Sequence, residues 1–140
     1  MKKIVFLSIM AIVVLLHTGC DKIEDNKDKV PSLPTVENLT SSVSNGVANV
    51  TWSIPSNIPS SFARPLSVSI QVYQYRPATY SPVRVEIETL ESEATSYSYT
   101  IPTDGNDYHI IVKLIGNITN PPYGTSPTVY SLGQTTIVKL

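Results

Sequence analysis

One cysteine, two histidines and one tryptophan leave this 140-residue chain short of most side chains that do chemistry. A single cysteine excludes a disulfide framework, and with two histidines it cannot complete a Cys/His zinc site. Charge is scarce as well: 15% of residues carry it, 10 basic against 11 acidic. The clustered lysine and arginine of a nucleic-acid binder are missing, so no nucleic-acid partner is expected. Hydrophobic residues still make up 41%, too many for a disordered chain. Against these shortages stand 11 prolines and 8 tyrosines, a composition that suits a turn-rich β protein.

Lys2 and Lys3 precede residues 4–16, a stretch of 13 in which only Ser8 is polar. A membrane-spanning helix needs about 20 apolar residues. The stretch therefore reads as the hydrophobic part of a secretory signal. Leu16-His17-Thr18-Gly19-Cys20 follows it directly. Small residues before a cysteine at this place resemble the lipobox of bacterial lipoproteins, although His17 stands where that family usually has leucine. The resemblance implies cleavage before Cys20, lipidation of its thiol and acylation of the new N-terminus. It also gives a use to a thiol that has no partner. Several acyl chains anchor a protein stably where one does not.

Removal of a leader spanning residues 1–19 leaves 121 residues with net charge −3. That is one domain at about 100–150 residues each. Residues 21–29 alternate acid and base and hold one apolar residue, Ile23, so they read as a solvated tether. Acidic residues just after a lipidated cysteine resemble the surface-export signal of Bacteroidota lipoproteins. The implied location is the bacterial outer membrane, with the domain on the cell surface or facing the periplasm. Pro31 and Pro34 mark the end of the tether. The expected organisation is a leader over 1–19, lipidated cysteine and tether over 20–33, and a folded domain over 34–140.

From Pro34 onward, short alternating runs are separated by turn signals, which predicts an all-β sandwich of seven antiparallel strands. The runs cover 36–43, 47–54, 66–76, 83–88, 95–101, 108–115 and 128–140. Asn45-Gly46 is a hairpin signal between the first two. The fourth run overlaps a stretch, 86–94, that also reads as a short helix; β-branched alternation favours a strand. The sixth run is apolar on both faces, which predicts a central strand, and Gly133 predicts a bend in the seventh.

Pro34, Asn38-Leu39-Thr40, Val50-Thr51-Trp52 and Pro55, then Ile101-Pro102, Asp104-Gly105 and Tyr108 with Ile110 and Val112, resemble the motifs of fibronectin type III domains. The resemblance spans residues 34–140, is weakest over the last strand, and implies that sandwich fold. It also implies a buried core tryptophan at Trp52 and a corner tyrosine at Tyr108, whose hydroxyl would bond to nearby backbone.

No catalytic residue is expected. His109, the one histidine outside the leader, falls on a strand face opposite Tyr108. Esterase, phosphate-loop and metalloprotease motifs are missing from the chain, so no cofactor is predicted. Glu86 and Glu88 fall together by parity beside Arg84 and read as a solvated edge that discourages strand addition. Asp104, Asn106 and Asp107 are too few for calcium and read as turn residues, so no metal is expected.

The remaining candidates for ligand or partner contact are Tyr73, Tyr75, Tyr80 and Tyr123, with the loop of Phe62 and Arg64 beside them. Tyrosine pairs an apolar ring with a polar tip, which suits protein interfaces and sugar stacking. The reading is a lipid-anchored, non-catalytic binding or scaffolding module for an envelope protein or a glycan. A row of coplanar tyrosines would favour a glycan-uptake lipoprotein. An unpaired, uncharged first or last strand would favour an adhesin or pilus-related subunit.

Overall fold

Asn45 and Gly46 both take positive φ, 52° and 75°. That turn geometry matches the natural twist of a hairpin. It joins β1 (Glu37–Ser44) to β2 (Val47–Ser53), paired antiparallel with Ser44 opposite Val47. The computed structural model describes residues 30–76 and 81–139. The leader, Cys20, the tether up to residue 29 and Tyr80 lie outside the described residues. Beyond the hairpin come β3 (Ser67–Tyr75), β4 (Pro82–Leu90), β5 (Ser96–Thr100), β6 (Asp107–Asn117), β7 (Thr128–Tyr130) and β8 (Gln134–Val138). The protein is all-β, and no helix among the described residues is long and apolar enough to cross a membrane.

Two antiparallel sheets face each other. One has the order β1-β2-β5; the other runs β4-β3-β6-β7, with β8 also paired to β6. Period-two alternation puts Ala48, Val50 and Trp52 of β2 into the space between them, opposite Val68, Ile70 and Val72 of β3 and Ile110, Val112 and Leu114 of β6. Full burial of such aliphatic side chains contributes about 1.5–3 kcal/mol each. β6 is central, as its two apolar faces predict.

Several expectations need correction. Eight strands replace seven because the last run divides at Gly133. There a Cβ would lie 2.5 Å from Ile111 Cγ2. Ser131 tucks in just before the break, its backbone N–H donating to the Leu114 carbonyl and its Oγ accepting from the Leu114 N–H. The stretch over 86–94 is strand as its alternation predicts, but only as far as Leu90, the end of β4; Ser92 and Glu93 then turn the chain with positive φ. The core also starts before Pro34. Leu33 is buried, packed over Gly116, where the missing side chain leaves it room beside Phe62. Phe62 belongs to this core and not to a binding loop; only Arg64 of that pair reaches the surface, where it bridges Glu93 at 2.7 Å.

The largest departure is β4. A bulge in its pairing with β3 lies between the Val72–Glu86 and Tyr73–Arg84 pairs. Glu86 and Glu88 pair with Val72 and Ile70, so they share the inward side, while Arg84 pairs with Tyr73 and turns outward. Glu86 accepts a hydrogen bond from the Tyr97 hydroxyl. Val83, Val85 and Ile87 are all exposed.

Candidate interaction surface

Residues paired across neighbouring strands share a face. On the outer side of the larger sheet the register aligns Arg84, Tyr73, His109 and Ile137 in one row. The adjacent row holds Ile87, Gln71, Ile111 and Thr135. Ile87 is 58% exposed and Ile137 49%, so this face presents apolar surface at its two margins, while between them the backbone at Gly133 lies against Ile111. Tyr75 stacks on His109, with ring centroids 3.8 Å apart and planes 26° apart.

The face has a sign. Arg84 and Lys113 lie on it by register, Lys139 lies near His109, and Asp107 is the carboxylate facing Tyr75. Cations therefore predominate on a face of an otherwise acidic chain. Burial lowers the His109 pKa, Asp107 opposes that shift, and Lys139 adds to it. His109 is half-buried on this face, stacked on Tyr75. Among the described residues no group of three or more His, Cys, Asp or Glu could hold a metal ion.

Of the four candidate tyrosines, Tyr73 and Tyr75 stand on this face, half-buried. Tyr80 lies outside the described residues. Tyr123 is fully exposed in the loop after β6, at the opposite end of that strand from Tyr75. The described tyrosines therefore do not form one row. Sequence reasoning overlooked Ile87 and Ile137 as parts of the surface. The two-faced apolar pattern of β6 was the available signal, since Ile111 had to lie on the outer side of whichever sheet held it.

A family model described as a domain of unknown function, DUF4945, matches residues 20–138. The chain belongs to the DUF4945 family. The match takes in all eight strands, and it opens on Cys20. No curated protein matches the chain.

Within this DUF4945 domain a second polar cluster is structural. Tyr108 is buried, and its hydroxyl donates to Asp104 Oδ2 at 2.6 Å. The bond runs to a carboxylate four residues back and not to backbone, because the turn over residues 103–106 brings the Asp104 carboxylate to that hydroxyl. Gln74 Nε2 donates to the same oxygen at 2.6 Å, and the Asn106 N–H to Oδ1 at 3.1 Å. These donors, Tyr108 foremost, hold the Asp104 carboxyl down at about 2, while burial and then Asp104 push Tyr108 up to about 12. The cluster fastens the β5–β6 turn to β3.

Proposed function

We propose that this DUF4945 protein is a lipid-anchored cell-envelope protein whose sandwich is a non-catalytic binding module, meeting its partner through the outer face of the larger sheet. The observation that carries the reading is that face, with Ile87 and Ile137 largely exposed and Tyr73, Tyr75, His109 and Ile111 half-buried between them. Apolar and aromatic centres with a charged margin characterise protein interfaces. The strand order β1-β2-β5 against β4-β3-β6 supports the fibronectin type III resemblance. The leader, the lipobox-like segment and a family match opening on Cys20 support the anchor.

A protein partner fits this face better than a glycan does. The Tyr75–His109 stack occupies one ring face of each residue. Sugar stacking needs open ring faces, whereas a protein surface packs against ring edges as readily. A strand-accepting role has one supporting observation, that β8 carries no charge and pairs with β6 alone. Its five residues offer a shorter edge than most strand-addition sites use.

Two measurements test the proposal. Cys20→Ala is expected to move the protein out of the membrane fraction; unchanged fractionation, with the leader uncut, overturns the lipoprotein reading. Capture from detergent-solubilised membranes is expected to yield a stable protein partner, while a glycan array stays silent. A glycan hit abolished by changing Tyr73, Tyr75, Tyr80 or Tyr123 to alanine makes the protein a carbohydrate-binding lipoprotein instead.

A further inference from the structure

Two loops at one end of the sandwich are fastened together. Ala63 N–H donates to the Asn117 carbonyl at 2.8 Å, and Thr119 N–H to the Ser61 carbonyl at 2.9 Å. Phe62 and Ile118 are buried beneath this junction. Across residues 54–63 and 118–127 these loops contain no charged side chain, in a chain where 15% of residues are charged. The tip is ordered: Thr125 donates to the Pro122 carbonyl through both N–H and Oγ1, and Gly124 takes φ 79°. That turn holds the Tyr123 ring entirely clear of the protein. The opposite end of the sandwich carries Arg76, Asp104, Asp107 and Lys139.

The chain enters the domain at the end with the two uncharged loops, where the charges nearest the loops, Arg64 and Glu93, are paired with each other. Leu33 packs at Gly116 and Phe62, and Glu37 pairs with Ser53. Ten residue-to-residue steps separate Cys20 from Val30. Fully extended they reach about 36 Å, at about 3.6 Å per residue. β6 has 11 residues and is about 36 Å long, at about 3.3 Å per residue. To turn the charged end toward a membrane holding Cys20, the tether would have to run the whole length of the domain fully stretched.

We propose that the end with the two uncharged loops rests on the lipid bilayer, with Tyr123 seated among the headgroups. This rests on the lipoprotein reading of Cys20. Tyrosine favours the membrane–water interface, where its ring is shielded and its hydroxyl stays wet. One residue would not hold a free protein on a membrane. A short tether makes the contact intramolecular and raises the effective concentration of lipid around it. The strands then stand upright on the membrane, and the outer face of the larger sheet looks sideways along it.

The test uses the full-length lipoprotein purified from membranes and reconstituted into phosphatidylethanolamine/phosphatidylglycerol vesicles that contain nitroxide-headgroup lipid. With Cys20 acylated, Asn120→Cys supplies a free thiol for a fluorophore beside Tyr123, and Thr103→Cys does so at the far end. Quenching at position 120 is expected to exceed that at 103 at least two-fold. Adding Tyr123→Ala to the Asn120→Cys protein should remove at least half of it, with the urea midpoint unchanged. A protein that floats with the vesicles but is quenched equally at both positions, or is indifferent to Tyr123→Ala, overturns this proposal alone. A protein that does not float overturns the lipoprotein reading and this proposal with it.

Discussion

Asp104 receives hydrogen bonds from the Tyr108 hydroxyl, the Gln74 amide and the Asn106 backbone, so its charge is held in place by the fold. Its folded pKa of about 2 lies below the ordinary 3.8. The unfolded chain therefore takes up the proton first. The stabilisation is complete above about pH 4 and is lost as pH falls toward 2. Urea midpoints should drop across that window, and the drop should be shallower in Asp104→Asn. Tyr108→Phe removes the buried donor and should cost about 1–3 kcal/mol at neutral pH; no loss would mean that the corner does not fasten the turn. The His109 pKa is also lowered, here mainly by burial. Its contribution is present above the unfolded value near 6.5 and lost as pH falls below it. His109→Gln should flatten the stability profile between pH 7 and 5. Trp52 and Tyr108 were legible as core because the apolar alternation on either side of them is regular. Gln74 was not, since a polar residue in a strand gives no sign that it is buried. The signal lay in parity, for Leu66, Val68, Ile70 and Val72 lead by steps of two to Gln74.

β4 marks where local pattern stopped being informative at the scale of elements. Its alternation is regular, but the bulge opposite β3 resets which side each residue takes, and a bulge is a property of the pair. Glu86 and Glu88, expected on a solvated face beside Arg84, take the inward side of the edge strand instead, Glu86 half-buried and Glu88 still exposed. Inward-facing charges and a bulge both protect an edge strand from pairing with another chain. Replacing both glutamates with valine should shift the protein from monomer to dimer or larger species in sedimentation at matched concentration; an unchanged distribution would show that the bulge alone guards the edge. The stapled loops are a second relation that no single segment encodes. Gly116 sits inside β6, and a Cβ there would lie 2.7 Å from the Phe62 ring. Phe62 is buried and has little freedom to yield. Gly116→Ala should therefore destabilise by about 1–3 kcal/mol, measured by urea unfolding. An effect near zero would mean that the two loops slide freely.

At the scale of the whole molecule, surface chemistry is divided by direction: an end with two uncharged loops beside the paired Arg64 and Glu93, a charged opposite end, and an apolar, net-basic side. The sandwich class was legible because alternation and turn residues agree along nearly the whole domain. The division of its surface was not, because it depends on how strands far apart in the chain are laid side by side. Ile87 and Ile137 sit on opposite margins of the same face, separated by β3 and β6, and become one surface only through that pairing. The division yields a prediction that separates the two proposed contacts. Both isoleucines are largely exposed, so changing them to lysine should move stability by no more than about 0.5 kcal/mol. Lysine at both positions would take away apolar area that a partner would bury and add two charges to be desolvated on binding. The Ile87→Lys/Ile137→Lys protein should therefore lose at least ten-fold in partner capture while its vesicle quenching stays as in the parent. Tyr123→Ala should do the reverse, keeping the partner captured in detergent and losing the membrane contact. If either variant abolished both readouts with the fold intact, the outer face and the loop end would belong to one continuous binding surface, and the partner would have to reach down to the membrane itself.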